Sequence, residues 1–160
     1  MLPPPNALFS SSCSSPSSFT CRFCSEEAYF SVKEIDLAIV ADVGTTQRLP
    51  VFVGDQRARE MTYTGRNVPG VEAARIGLAL ECHPDAAAAR AAAVAVATQI
   101  AAKSPVTVRG AKKAMLYARD HPVADALEQV KTWNGSALLS EDLGVAMRAA
   151  MQKQAPDFRD

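Results

Sequence analysis

Two carboxylates raise the question of chemistry. Glu34 and Asp42 stand in the run KEIDLAIVADVGTTQRLP that covers residues 33–50. Asp42 interrupts the apolar stretch Ile39-Val-Ala-Asp-Val43, where a carboxylate is costly unless it is paired, neutralised or employed. Burial there would favour the protonated acid, whereas a helix starting at Thr45 would favour the anion. The sequence leaves these two influences undecided. Two carboxylates at separate points along one slot could each act as a general acid or base. The plainer alternative has Asp42 capping the following helix and Glu34 pairing with Lys33 at the surface.

The elements that must hold these residues can be read from local signals. Ala28–Val32 reads as a short strand and Leu37–Val40 as an apolar turn or strand. Thr45 or Thr46 is suited to cap a short helix that breaks near Pro50 or Gly54. Asp55–Tyr63 follows as a helix closed by Thr64-Gly65, and Val71–Ile76 as another ending at Gly77. The remainder is helical: Pro84–Lys103, Val106–Arg119 after Ser104-Pro105, Val123–Leu139 after His121-Pro122, and Glu141–Lys153 with Ser140 as cap. The chain is therefore α-rich, with one or two short strands near its beginning. Residues 1–20 are rich in Ser and Pro and carry no charge, so disorder is expected there. They also lack the arginines of a transit peptide. Residues 21–160 form the folded part.

Composition narrows the function. Of 160 residues 48% are hydrophobic, enough for one domain with a core. Lys plus Arg and Asp plus Glu both number 17, and no basic cluster is interleaved with aromatics. Nucleic acid and anionic lipid are therefore unexpected partners. The longest apolar segment, 86–102, contains Arg90, Thr98 and Gln99 and is mostly Ala, which suits a water-exposed helix and not a membrane span. Cys21-Arg-Phe-Cys24 has metal-ligand spacing, but no second pair completes a site; reduced thiols are the expectation, and no metal. Trp133 reads as a packing anchor between helices. His83 and His121 are next to prolines in loops, which is not the setting of a catalytic imidazole.

Several motifs, in order, resemble the enoyl-CoA hydratase/isomerase (crotonase) superfamily. They are Phe30-Ser-Val-Lys-Glu-Ile-Asp-Leu, Gly44-Thr-Thr-Gln-Arg-Leu-Pro50, Thr62-Tyr-Thr-Gly-Arg66 and Glu72-Ala-Ala-Arg-Ile-Gly-Leu78. Lys103-Ser-Pro105 with Lys112 or Lys113, and the tail from Glu141-Asp142 through Ala146, Lys153, Pro156 and Phe158, continue the match. Ala41-Asp-Val-Gly44, Tyr117-Ala-Arg-Asp-His121 and Thr132-Trp-Asn134 are most similar to the Δ3,5-Δ2,4-dienoyl-CoA isomerases.

The resemblance implies the C-terminal half of an α/β crotonase (ClpP-like spiral) fold, ending in helices that mediate trimerisation. It implies an isomerase of fatty-acid β-oxidation. Glu34 and Asp42 match the catalytic carboxylates, Glu34 exchanging the proton at C2 of a 3,5-dienoyl-CoA and Asp42 the proton at C6. Lys153 matches a lysine that reaches the coenzyme A phosphates. No cofactor is implied, since coenzyme A belongs to the acyl-CoA substrate, and the implied partner is a homo-oligomer, trimer or hexamer. The implied compartment is mitochondrion or peroxisome, although Phe158-Arg-Asp160 is not the Ser-Lys-Leu address. The family's oxyanion donors and a third acid, aligned with Ser14, belong to a first half that this chain does not match. Impaired activity is therefore expected. Two other readings remain open at this point: an enoyl-CoA hydratase, which would carry Gly at position 42, and a non-catalytic fragment acting only by association.

Overall fold

The computed structural model describes residues 21–42 and 44–158. The tail at 1–20, expected to be disordered, lies outside them, as do Val43, Arg159 and Asp160. The chain divides into two compact units at Val94/Ala95, within one helix.

In the first unit, β1 (Phe23–Ser25) pairs in parallel with β4 (Glu81–His83), and β2 (Tyr29–Phe30) pairs antiparallel with β3 (Val68–Pro69). The sequence suggests one or two strands; four short ones form among the described residues. Those at β1 and β4 have no local signature, because a three-residue strand is stabilised by its remote partner and not by its own periodicity. Leu37–Val40, read as a turn or strand, is a turn: it leaves a 3-10 helix, Lys33–Leu37, and reverses at left-handed Ala38, φ 56°.

α1 (Thr45–Val53) continues through Pro50 and stops at Gly54, burying Thr45, Leu49 and Val53 along one face. It packs on α2 (Asp55–Thr64), which contributes Ala58 and Met61. These residues join Cys24, Phe30, Val32, Val68, Ala73, Ile76 and Leu78 in one core. α3 (Gly70–Arg75) ends before Gly77, whose φ of 82° supplies the expected left-handed stop. Arg66 ties α2 to α3: its Nε donates to Glu60 Oε1 (2.6 Å) and its two terminal nitrogens to the Glu72 carboxylate (3.0 and 2.7 Å).

α4 (Ala86–Ala101) begins two residues later than expected. Asp85 Oδ1 accepts the Ala88 amide (2.7 Å), so Asp85 and not Pro84 forms the start.

The second unit holds α5 (Pro105–Tyr117), α6 (Val123–Ala137) and α7 (Glu141–Gln152). Ser104 caps α5: its Oγ accepts the Thr107 amide (3.1 Å) and donates to Asp142 Oδ2 (2.5 Å). Ser140 occupies the N-cap position of α7, but its hydroxyl donates back to the Ala137 carbonyl (2.6 Å) and caps nothing ahead. Trp133 of α6 lies against Gly110 of α5, where any side chain would collide with its indole ring. This is the anchoring role the sequence suggests. No single helix among the described residues is long and apolar enough to cross a bilayer.

Candidate functional site

The segment that carries both carboxylates is held from behind by one turn. Phe30 and Val32 are buried, and β2 is registered on β3 through Phe30 opposite Val68. The intervening Ser31 donates its hydroxyl to the Gly65 carbonyl (2.7 Å), and Lys33 Nζ donates to the same oxygen (2.6 Å). Gly65 closes α2 at φ 59°, and a Cβ there would approach Ile35 Cγ2 to 2.9 Å and Asp36 Oδ1 to 3.2 Å. Glycine is thus required twice, for the left-handed turn and for the 3-10 helix that rests on it. Lys33 also pairs with Asp36 (3.3 Å).

Glu34 is half-buried on this 3-10 helix. Its carbonyl accepts the Ile39 amide (3.1 Å) across the reversal at Ala38. Around the reversal the chain faces outward: Leu37 before it and Ile39 and Val40 after it are exposed, Val40 at 76%. Ala41 is buried and pins the segment again, and Asp42 follows it at the surface. Gly44, at φ 85°, turns the chain into α1, with the Arg48 guanidinium packed where a Cβ would be.

Several expectations are corrected here. Asp42 is not desolvated: it is exposed, and so are Ile39 and Val40 beside it. The reversal at Ala38 turns these apolar side chains away from the core, so an apolar sequence does not become an apolar environment. Neither Thr45 nor Thr46 caps α1. Gly44 occupies the N-cap without a side-chain bond, and Thr45 is buried inside the first turn. For the same reason Asp42 is not the cap of α1. Glu34 does not pair with Lys33, which is engaged with Gly65 and Asp36. Among the described residues neither the Glu34 nor the Asp42 carboxylate has a hydrogen-bonded or ion-paired partner.

Lys153 belongs to the second unit. It ends α7 in the left-handed conformation at φ 54°, with its amide donating to the Ala150 carbonyl (3.2 Å) and its side chain exposed. Cys24 is buried in β1 while Cys21 is exposed, and no group of three or more His, Cys, Asp or Glu among the described residues is placed to hold a metal. Sequence reasoning missed the support beneath Glu34. Alternating Ser31 and Lys33 both reach Gly65, and the turn signal at Thr64-Gly65 was the only local trace of it.

A pattern described as enoyl-CoA hydratase/isomerase matches residues 20–160. The chain belongs to this family. A peroxisomal Delta(3,5)-Delta(2,4)-dienoyl-CoA isomerase of Arabidopsis thaliana is 43% identical over 137 residues, covering 86% of this chain and 49% of that protein. A mitochondrial enzyme of the same name from Rattus norvegicus is 42% identical over 134 residues, 83% of this chain and 41% of the relative. Among solved structures, an enoyl-CoA hydratase from Bacillus anthracis superimposes with a TM-score of 0.82 at 30% identity, covering 87% of this chain and 54% of that one. The helix-rich crotonase architecture expected from the resemblance is therefore present. The chain spans about half the length of the curated relatives it matches.

Proposed function

We propose that this chain carries the proton-transfer machinery of a Δ3,5-Δ2,4-dienoyl-CoA isomerase. The observation that carries the reading is the placement of two structurally unpartnered carboxylates on either side of an outward apolar segment. Lys33, Arg59 and Arg66 are all engaged in ion pairs, whereas Glu34 and Asp42 have no structural partner among the described residues. They flank an outward apolar surface of Leu37, Ile39 and Val40, which suits an acyl chain.

In this reading Glu34 takes the proton from C2 of the 3,5-dienoyl thioester. The electron pair spreads through the thioester enolate and both double bonds. Asp42 then delivers a proton at C6, leaving the 2,4-diene. No cofactor is required, coenzyme A being part of the substrate, and Lys153 serves the coenzyme A phosphates. The exposed faces of α6 and α7 serve self-association, as a trimer or hexamer. The compartment is mitochondrion or peroxisome, in keeping with the names of the two relatives. Taken alone the chain turns over weakly, because the donors for the thioester oxygen belong to the unmatched half and each such donor contributes about 10²–10³ in rate.

The test joins this chain to the preceding half of the Arabidopsis thaliana relative and follows 3,5-dienoyl-CoA spectrophotometrically. Both Glu34→Gln and Asp42→Asn should lower turnover by about 10²–10⁴, the usual range for a lost general acid or base. Hydration of a 2-enoyl-CoA that survives Asp42→Asn would move the assignment to a hydratase. Retention of full isomerase activity in either variant would refute the role given to that residue.

A further inference from the structure

The proposed mechanism uses no cysteine, yet two thiols are placed side by side in the first unit. In the parallel pairing of β1 with β4, Cys24 is the register partner of Cys82. Register partners direct their side chains to one face of the sheet, and adjacent strands run about 4.8 Å apart. That separation lies inside the Cα range of about 4.4–6.8 Å that a disulfide spans. The Cys24 thiol approaches the carbonyls of Gly70 (3.5 Å) and Glu81 (3.6 Å). A Cβ added to Gly70 would stand 3.2 Å from Cys82 Sγ, so both sulfurs meet over this one glycine.

The two thiols differ in access. Cys24 is buried and Cys82 half-buried, while Cys21 is exposed. Burial, and then the neighbouring Cys82 thiol, pushes the Cys24 thiol up to about 11, so it stays protonated and unreactive at neutral pH. Attack on an external oxidant therefore falls to Cys82, with Cys24 placed to resolve the product.

We propose that Cys24 and Cys82 are a redox pair, oxidised by a small soluble disulfide of the glutathione class to a cross-strand bridge between β1 and β4. Cys82, as thiolate, attacks one sulfur of the small disulfide and expels the first small thiolate, giving a mixed disulfide. Cys24 then loses its proton to the released thiolate and attacks the Cys82 sulfur, expelling the second small thiolate, which takes up from water the proton that Cys82 gave up. Two electrons pass from the protein pair to the small disulfide, and an excess of small thiol reverses both steps. The bridge encloses the segment that carries Glu34, Asp42 and α1–α3. Its formation should raise the thermal midpoint of the first unit by constraining the unfolded chain.

The experiment uses the full chain with Cys13→Ser and Cys21→Ser, so that only the pair remains. The protein is incubated with glutathione disulfide and mapped by mass spectrometry under non-reducing conditions. The expected product is lighter by two hydrogens, with the Cys24 and Cys82 peptides linked, and dithiothreitol restores the starting mass. Adding Cys24→Ser, or Cys24→Ala should the serine fail to fold, should leave a stable glutathione adduct on Cys82. Adding Cys82→Ala should slow modification of Cys24 at least about tenfold, since a buried, protonated thiol is a poor nucleophile. The proposal is overturned by a persistent adduct on Cys82 in protein that keeps its native circular dichroism and still holds Cys24. Equal reactivity of the two thiols towards the small disulfide would also overturn it.

Discussion

The two units of this chain bury their apolar residues very differently. In the first, Met61 (1% exposed), Val68 (0%) and Leu78 lie in a continuous core drawn from both sheets and three helices. In the second, the buried positions of α5, α6 and α7 are Gly110 and Ala149, and α6 has none. Large apolar side chains face outward there, among them Leu127, Leu138, Met147, Leu139 (87%) and Met151 (85%). Amphipathic helices ordinarily bury their apolar stripe, and a contiguous exposed stripe marks an interaction surface or a liability. The first unit thus holds its own hydrophobic stability. The second unit, taken by itself, is held by the Trp133–Gly110 contact and the Ser104–Asp142 hydrogen bond and leaves most of its large apolar side chains outside.

This contrast can be broken by experiment. The largest effect should come from the first unit. Met61→Ala removes a fully buried side chain and should cost about 2–5 kcal/mol in urea denaturation. Leu139→Ala, at an exposed position, should stay within about 0.5 kcal/mol in the isolated chain. Comparable losses in the two variants would show that stability is spread evenly and that the contrast is false.

Self-association gives a second test. Outward Leu139 and Met151 should drive oligomers or aggregates in sedimentation velocity, and Leu139→Glu with Met151→Glu should shift the distribution towards monomer. A parent chain that sediments as a stable monomer would remove the proposed associating role of the second unit.

A smaller effect separates the units by pH. In the first, the hydrogen bond from Arg66 holds the Glu72 carboxyl below the usual carboxylate range. A depressed folded-state value contributes stability above the unfolded value, about 4.3, and loses it as pH falls through the folded one. The pair is partly exposed, so the expected loss is about 1 kcal/mol or less. Glu72→Gln should flatten that acid limb.

The smallest effect belongs to the second unit. His121 Nδ1 donates to the Tyr117 carbonyl (2.9 Å) and also meets Asp120 Oδ1 (2.6 Å), which raises its value, the carbonyl acting first. The sign is opposite: this contribution is complete below the unfolded value, about 6.5, and fades as pH rises through the folded one. Because His121 is exposed, its signature is an NMR titration midpoint above 6.5, and Asp120→Asn should bring it down towards that value. A midpoint at or below 6.5 in the parent would show that neither contact forms in solution.

Much of this molecule follows from local chemistry. The long helices come from alanine-rich and leucine-bearing segments. Ser104-Pro105 starts α5, and Gly54, Gly65 and Gly77 stop their helices as left-handed or otherwise permissive residues. The motifs around Glu34 and Asp42 likewise announce the family before any fold is known. Tertiary structure alone decided the rest. Cys24 meets Cys82, and Ser31 and Lys33 meet Gly65, across sequence distances that no local pattern encodes. The direction of Ala38 turned Ile39 and Val40 outward, leaving Asp42 in water where its neighbours' side chains suggested a dry site. Hydroxyl direction at Ser140 was equally undetermined, since Ser can donate backward to a carbonyl as readily as it accepts an amide ahead. Residue type sets which bonds a group can make; only the folded backbone selects the partner it meets.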